Sequence, residues 1–298
     1  MKWEGQRRSD NVEDRRGGGF GIPGGGGRRV GGRGLGLGTI AIALVAGWIF
    51  GINPLTVLGV LGGMDGSGGS GAPVSAGPAA APPQADREAA FVSTVLADTE
   101  DVWPALFQAG GSSYRDPKLV LFRGAVPTAC GTGQSAMGPF YCPGDMKVYI
   151  DLGFFDTLSR QLGAPGDFAQ AYVIAHEVGH HVQRLIGVTE RVDGLRNRMS
   201  AAQANAMSVR VELQADCLAG VWTHHSQRGK GWLEQGDVEE AMNAAARIGD
   251  DTLQRQSQGT VRPESFTHGT SAQRTRWFRK GLDSGQVAGC NTFDAQSL

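Results

Sequence analysis

The stretch Ala171-Tyr-Val-Ile-Ala-His-Glu-Val-Gly-His-His181 is the part of this sequence that decides the fold. Its apolar residues recur at helical spacing and continue on both sides, which predicts an amphipathic helix with one buried face. Asp167, with Gln170 three residues later, is typical of a helix start, and Gly187 is typical of a helix end. The rest of the folded domain is therefore expected to pack around this helix.

Three residues of this stretch, His176-Glu177-x-x-His180, form a metal-binding pattern. Because residues four apart lie on one face of a helix, both imidazoles can bind a single ion. Glu177 is rotated by about 100° from His176, where a general base for a metal-bound water is expected.

Two acidic residues lie downstream in Val211-Glu212-Leu-Gln-Ala-Asp216. Zinc in hydrolytic sites takes three protein ligands, and two histidines with one glutamate are one such set. Glu212 is therefore predicted as the third ligand. Asp216, one helical turn later, is predicted to accept the other N–H of a ligand histidine. The alternative is two satisfied core histidines and two surface acids on separate helices, but the two motifs together favour one Zn²⁺ ion per chain.

The first 33 residues are rich in arginine and contain a tract that is nearly all glycine. Such a segment cannot bury a core, so residues 1–33 are predicted to be a basic, disordered, cytoplasmic tail. Acidic residues are interspersed among the arginines and no aromatic residues alternate with them, so no nucleic-acid partner is expected.

No charged residue occurs from Gly34 to Met64, which predicts a transmembrane segment at residues 34–61. One helix from about Leu35 to Ile52 is long enough to span the hydrocarbon core. A cleaved signal peptide is the alternative, but a long positive segment precedes the apolar run and no clean cleavage site follows it. The arginines predict a single-pass anchor in the bacterial inner membrane, with the N-terminus cytoplasmic and the following domain periplasmic.

Residues 62–85 have the Gly/Ser/Ala/Pro composition of a flexible linker, so the folded domain is expected at residues 86–298. The fold class predicted for the chain is α+β: a transmembrane helix, then a mostly helical domain with a small β-sheet. The expected elements are a helix at Asp86–Phe107 that Pro104 bends or ends, strands at Lys118–Arg123 and Lys147–Leu152 separated by a loop at 124–144, a short helix at Phe154–Leu162, a long helix opened by Ser200 and Gln203, and helices at Asp237–Leu253 and Ser271–Leu282.

The four cysteines are Cys130, Cys142, Cys217 and Cys290. In an exported domain an even number of cysteines favours disulfides. Cys130 with Cys142 would close the loop between the two strands, and Cys217 with Cys290 would tie the C-terminus to the helix that carries Glu212. Four cysteines allow three pairings, and free buried thiols are the alternative.

Hydrolysis of a peptide bond also needs a group that stabilises the negative charge developing on the carbonyl oxygen. His268, in the turn Ser265-Phe-Thr-His-Gly-Thr270, is the first candidate and Arg274 the second. A histidine in a turn is ordinarily just a solvated residue, which is the alternative for His268. The strand Lys147–Leu152 is expected to be the sheet edge that holds an extended substrate by backbone pairing.

Three stretches of the chain resemble the bacterial putative neutral zinc metallopeptidase family. They are Ala175-His-Glu-Val-Gly-His-His-Val-Gln183, Glu212-Leu-Gln-Ala-Asp-Cys217 and Trp3-Glu-Gly-x-Arg7-Arg8-Ser9-x-Asn11-Val-Glu-Asp-Arg-Arg16. The likeness covers nearly the whole chain, and the E-x-x-A-D element is similar to that of the broader gluzincin clan. The resemblance implies a zincin-like fold in which His176, His180 and Glu212 are the zinc ligands. It also implies that Glu177 is the catalytic residue and that Asp216 supports a ligand.

The gluzincin clan also has a Thr-His turn followed by an arginine, which Thr267-His268 and Arg274 partly match. Gly269 stands where the clan usually has proline, so the correspondence departs from the clan pattern at this position.

The predicted function is that of a membrane-anchored zinc metalloendopeptidase, in which Glu177 assists the attack of zinc-bound water on an exported protein or peptide. The alternative is a catalytically inactive, zinc-stabilised binding or scaffold module at the membrane. Retention of Glu177 favours the enzyme, because a structural zinc site does not need that acid. Zinc-dependent hydrolysis of a non-peptide amide, such as one in cell-wall material, is a third possibility.

Overall fold

A computed structural model of the protein describes residues 1–17, 85–196 and 198–298. The strands in these residues are β1 (Val12–Asp14), β2 (Lys118–Phe122), β3 (Ala125–Thr128), β4 (Gly131–Gln134), β5 (Phe140–Cys142) and β6 (Lys147–Asp151). The helices are α1 (Arg87–Ala109), α2 (Gly153–Arg160), α3 (Asp167–Leu185), α4 (Val188–Arg196), α5 (Ala201–Lys230), α6 (Asp237–Arg247), α7 (Asp250–Gln258) and α8 (Ser271–Ser284). The described part of the chain is thus mostly helical with small sheets, which confirms the α+β class.

The main sheet has the strand order β1-β2-β6-β5, in which β1, β2 and β6 are parallel and β5 is antiparallel to β6. Leu119 and Leu121 of β2 face the helices in the main core, whereas Val120 and Phe122 face a smaller apolar cluster. Parallel strands are covered on both faces in this way, which explains why β2 is apolar almost throughout. The two strands expected from the sequence are the two central strands of this sheet.

The segment 124–144, expected to be a loop, contains the hairpin β3-β4 and the strand β5. Because β5 pairs with β6 through Tyr141 and Val148, β6 lies inside the sheet with β2 on its other side. The prediction that β6 is the edge available to a substrate is therefore wrong. The edge of the sheet that packs against α3 is β5.

Both disulfides predicted from the sequence are present. Cys130–Cys142 joins the end of the β3-β4 turn to β5, and Cys217–Cys290 joins α5 to a 3₁₀ turn near the C-terminus. Cys142, Cys217 and Cys290 are fully buried, so these cross-links lie inside the packed structure.

The N-terminal segment is part of the folded domain. Strand β1 pairs with β2, Val12 is 6% exposed, and the Glu13 carboxylate accepts hydrogen bonds from Lys147 Nζ at 2.8 and 2.9 Å. The prediction of a disordered tail at residues 1–33 is therefore wrong for residues 1–17. Composition averages over the whole segment, whereas the charges of its first part find specific partners on the domain.

The packing of residues 1–17 bears on the predicted orientation of the chain in a membrane. Residues 1–17 share one sheet and one core with the domain, so both must lie on the same side of any membrane. The predicted orientation, with a cytoplasmic N-terminus and a periplasmic domain, would require residues 1–17 to leave this sheet. The predicted membrane segment at 34–61, and the linker up to residue 84, lie outside the described residues. Within the described ranges, no helix combines the length and apolar character that a bilayer crossing requires.

The ends of the two helices that carry the predicted ligands are set by local sequence. Gly166 caps α3, so Asp167 is its first residue and not its cap, and Gly187, with a φ of 77°, follows its last turn. Helix α5 begins with the predicted capping box, in which the Ser200 side chain accepts from the Gln203 backbone and the Gln203 side chain from the Ser200 backbone. The capping box thus fixes the start of α5, whereas α3 begins after Gly166 without a side-chain cap.

Helices α3 and α5 pack closely where the two predicted motifs meet. A Cβ atom at Gly179 would lie only 3.0 Å from the carbonyl oxygen of Ala215, so a larger residue there would require α5 to shift by a few tenths of an ångström. The close approach brings the histidines of α3 within reach of Glu212 on α5.

Two helices differ from the expectation. Helix α1 continues through Pro104 to Ala109, and Asp237–Leu253 is divided between α6 and α7. The division falls at Gly249, where a Cβ atom would lie 2.4 Å from the backbone nitrogen of Ser271. The chain turns there because α8 begins against it.

Candidate metal centre

His176 and His180 lie one turn apart on α3, and Glu212 faces them from α5. The two imidazole rings have centroids 4.8 Å apart. His176 Nε2 is 3.1 Å from Glu212 Oε2, and His180 Nε2 is 3.5 Å from Glu212 Oε1. One ligand atom of each residue lies within 4.8 Å of the other two. The structure thus brings together the three residues that the sequence assigned to a metal.

The donor set and its spacing fit zinc. Atoms bound to one tetrahedral zinc ion at its usual bond lengths lie roughly 3.3–3.5 Å apart, close to the separations in this site. Two imidazole nitrogens and a carboxylate oxygen are a donor set of zinc hydrolases. Both Nε2 atoms face Glu212, whereas each Nδ1 atom has another partner. His176, His180 and Glu212 would therefore hold the ion.

Asp216 contacts the Nδ1 atom of His176, on the side of the ring away from Glu212, as its spacing from Glu212 predicted. Asp216 Oδ1 lies 2.8 Å from His176 Nδ1 and 2.5 Å from the hydroxyl of Tyr172, and the carboxylate is fully buried. Arg274, the second candidate for stabilising a developing negative charge, donates to both oxygens of Asp216 and to the carbonyl oxygen of Ile248. Arg274 therefore supports His176 through Asp216, and it also lines the cavity that opens beside the two histidines.

Gln183 contacts the Nδ1 atom of His180, the position that Asp216 contacts on His176, and was not singled out from the sequence. Its Oε1 lies 2.9 Å from His180 Nδ1, and its side chain is 1% exposed. The only signal in the sequence is its position three residues after His180, on the same helix face.

Glu177 lines a cavity of about 430 Å³ that opens beside the two histidines. It comes from the same helix as the histidines, about 100° from His176 around the helix axis, and lines the cavity with them. Apolar residues also line the cavity, and they include Met137, Pro139, Phe140, Phe154, Val173 and Ile248. The cavity thus combines an acid, a metal centre and an apolar surface.

His268 lines the same cavity, on the turn before α8. Its Nδ1 is 3.2 Å from Oδ1 of Asp250, whose Oδ2 accepts three consecutive backbone N–H groups, those of residues 267 to 269. Asp250, which is 2% exposed, was missed because one acid at the start of a helix has no distinguishing pattern in the sequence. It fixes both the turn and the orientation of the His268 ring.

Comparison with known proteins identifies the family. The family described as "Putative neutral zinc metallopeptidase" matches residues 1–293. The chain belongs to this zinc metallopeptidase family. It is 53% identical to "Uncharacterized protein YpfJ" of Escherichia coli (strain K12) over 297 residues, which cover 98% of this chain and 99% of that protein.

A second relative of this chain is "Uncharacterized protein Rv2575" of Mycobacterium tuberculosis (strain ATCC 25618 / H37Rv). The two are 43% identical over 207 residues, which cover 66% of this chain and 68% of the relative. No solved structure matches the chain significantly.

The electrostatics of the candidate metal centre favour charged carboxylates at Asp216 and Glu212. Burial alone would raise the pKa of Asp216, but the charge of Arg274 and the contact with His176 lower it to about 2. Burial would lower the pKa of His176, but the charge and hydrogen bond of Asp216 raise it to about 10. Burial would also raise the pKa of Glu212, yet the charges of the two histidines lower it. The Glu212 carboxylate, which faces the metal position, is therefore negatively charged.

Glu177 behaves differently from the other acids of the site. Its pKa is raised by burial, which outweighs the opposing effects of His180 and His176. A carboxyl group with a raised pKa takes and returns a proton more readily near neutral pH than an ordinary glutamate does.

The wall formed by β5 is attached to the ligand helix through His181. Its Nε2 is 2.6 Å from the carbonyl oxygen of Arg115, so this nitrogen carries the proton and donates it. Nδ1 then accepts the hydroxyl of Tyr141, which lies on β5 at 3.0 Å. Burial lowers the pKa of His181 to about 4, so the ring is neutral and serves as a structural link between α3 and the sheet edge.

Proposed function

We propose that this protein is a zinc-dependent metallopeptidase that hydrolyses peptide bonds in the cavity beside α3. The observation that carries the proposal is the convergence of His176, His180 and Glu212, with Glu177 beside them in an accessible cavity. Family membership supports the same reaction class.

Several residues in and around the cavity have definite roles in such a reaction. A zinc ion, when bound, supplies Lewis-acid chemistry that activates water and polarises a carbonyl. Glu177 accepts the proton of the attacking water and returns it to the leaving amine. His268 donates a hydrogen bond to the carbonyl oxygen on which negative charge develops. Asp250 and Asp216 keep His268 and His176 in the required orientation.

The sheet edge gives a reason to favour extended peptides as substrates. Strand β5 is paired on one side with β6, and its residues Phe140 and Tyr141 line the cavity. An extended chain can add to such an edge by backbone hydrogen bonds, and the apolar wall then receives a side chain. The substrate class we propose is therefore an unfolded or extended segment of a protein with an apolar residue near the cleaved bond.

We also propose that the domain works outside the cytoplasm. The domain contains two disulfides. Disulfides persist in oxidising compartments and are rare in the reducing cytoplasm. Since residues 1–17 fold with the domain, we propose the same compartment for them. The uncharged stretch 34–64 is a candidate for membrane attachment, with residues 17 and 85 on one side of the bilayer.

Replacing Glu177 by Gln tests the reaction. The variant keeps the shape of the side chain but not its basicity, so we expect one zinc ion per chain as in the wild type and a loss of hydrolysis of about 10²–10⁴-fold. Zinc content is measured by elemental analysis, and cleavage by mass spectrometry of a peptide library. A fully zinc-loaded wild type that cleaves no peptide would contradict the proposal and would support a binding or scaffold module.

A further inference from the structure

A chain of buried hydrogen bonds runs from His180 to the C-terminal disulfide. Gln183 Oε1 is 2.9 Å from His180 Nδ1, and Gln183 Nε2 donates to Oε1 of Gln214 at 3.0 Å. Gln214 Nε2 in turn donates to the carbonyl oxygen of Cys290 at 3.1 Å. Both glutamines are buried, and Cys290 is bonded to Cys217 on α5.

The orientation of each glutamine amide in this series of hydrogen bonds is set by the backbone carbonyl oxygens that accept from it, those of Val211 and Cys290. A backbone carbonyl only accepts hydrogen bonds, so Gln214 must present its NH₂ group to Cys290 and its oxygen to Gln183. Gln183 must then present its NH₂ group to Gln214 and to the carbonyl oxygen of Val211, which lies 2.7 Å away. Its own oxygen is left facing His180, whose Nδ1 has to carry the proton. The lone pair of His180 Nε2 is thereby directed at the metal position.

The two histidines are held by unlike means. His176 is held by the charged pair of Asp216 and Arg274, which orients it by electrostatic attraction. His180 is held by the neutral amide of Gln183. An amide can present either its oxygen or its NH₂ group to the ring, so it favours one tautomer of His180 only if its own orientation is fixed. The orientation of Gln183 therefore decides which tautomer of His180 is favoured, and the carbonyl oxygens of Val211 and Cys290 anchor that orientation.

We propose that Gln183 and Gln214 are positioning residues for the metal ligand His180, and that the Cys217–Cys290 disulfide fixes the carbonyl on which their hydrogen bonds end. The proposal rests on the zinc site of the proposed function, but not on peptide hydrolysis. Binding of a metal to the purified full-length protein therefore tests it separately from activity.

The first test replaces Gln183 by Met, which has a similar volume and no amide. We expect Zn²⁺ to bind about 10–100-fold more weakly, the usual effect of removing a partner behind a ligand histidine. The matched control is Gln254→Met, since Gln254 is another glutamine that is 1% exposed, bonded to Ser265 and Arg262 away from the metal centre. Equal Zn²⁺ affinities in the two variants would overturn the proposal. A wild type that binds no Zn²⁺ would instead overturn the zinc site itself.

The second test is a double-mutant cycle with Gln214→Met. If Gln214 acts through Gln183, its replacement alone weakens Zn²⁺ binding by about three- to tenfold, and adds nothing in a protein that already carries Gln183→Met. The visible spectrum of bound Co²⁺ should change in the same variants, because it reports the ligand geometry. Losses that add up in the double variant would show that Gln214 acts independently, and would overturn its place in the chain.

The third test concerns the disulfide. Replacing Cys217 and Cys290 by Ala should weaken Zn²⁺ binding as much as Gln214→Met does, and should add little in the Gln214→Met protein. The matched control replaces Cys130 and Cys142, whose disulfide joins strands and does not contact the glutamines. An equal loss in both disulfide variants would overturn the role of Cys217–Cys290. If the first variant does not fold, the glutamine cycle still decides whether His180 depends on this chain.

Discussion

Arg274 and Asp216 form a two-pronged ion pair, with Nε to Oδ2 and Nη2 to Oδ1 both at 2.9 Å, and both side chains are almost fully buried. Removal of Arg274 leaves the Asp216 carboxylate buried without its arginine partner, at a cost of about 3–5 kcal/mol. We therefore expect Arg274→Leu to reduce the free energy of unfolding by about that amount, measured by urea denaturation.

The double variant Arg274→Leu with Asp216→Leu is the control for this pair. It removes both charges and should be more stable than the Arg274→Leu single variant, although it also frees His176 and should bind Zn²⁺ more weakly. A double variant that is less stable than either single one would mean that the pair is not the source of the cost.

Replacing Gly179 by Ala tests the close packing of α3 against α5. Alanine favours a helix by about 1 kcal/mol relative to glycine, but overpacking against Ala215 costs about 1–3 kcal/mol. The matched control is Gly229→Ala in α5, where a Cβ atom would meet no neighbour within 4 Å. We expect the control to gain stability and Gly179→Ala to lose it, together with Zn²⁺ affinity, in thermal unfolding and metal titration. A stabilising Gly179→Ala would refute the close contact.

The pH dependence of hydrolysis should report on His268. Burial lowers its pKa, but the hydrogen bond and charge of Asp250 and the charge of Glu212 raise it overall above the usual value. A positively charged His268 is thus present below this pKa and is lost as the pH rises through it. In Asp250→Asn the pKa falls, so the alkaline limb of kcat/KM should move to lower pH.

His268→Gln is the control for that profile. It should lower kcat/KM by about 10²–10³-fold and remove the limb, because the titrating donor is gone. An alkaline limb at the same pH in the wild type and in both variants would assign it to another group.

The shared compartment of the N-terminal segment and the domain can be tested by labelling. An added cysteine at Gln6 or at Gln258, both exposed, is treated with a membrane-impermeant maleimide in intact cells. We expect both positions to be labelled, or neither, because β1 is part of the domain sheet. Lysed cells give the full signal as a control, and labelling at only one position in intact cells would contradict the packing of residues 1–17.

The metal centre could be predicted because helical geometry fixes its members. His176 and His180 are four residues apart, as are Glu212 and Asp216, so each pair shares a helix face in any fold that keeps the two helices. The groups behind them were less visible. Asp250 and Gln183 are single polar residues without a repeating pattern, and their roles depend on which element packs against them.

The strand order of the sheet could not be predicted from the sequence in the same way. The strands β2 and β6 are apolar and were expected, but β1 is Val-Glu-Asp in a segment that is rich in charge and glycine. Its place is set by pairing with a strand far along the chain, and local composition carries no information about that partner. The edge position of β5 likewise follows from strand order, which a list of expected strands does not specify.

The place of β1 in the sheet also bears on how the molecule is made. Its pairing partner at Leu119 follows Val12 by about 100 residues, so the first strand to be synthesised has no neighbour until much of the chain has emerged. Contacts of such long range form late and slowly. Newly made chains should therefore pass through a stage in which β2 has an unpaired edge, and folding finishes only when the chain's beginning returns to cover it.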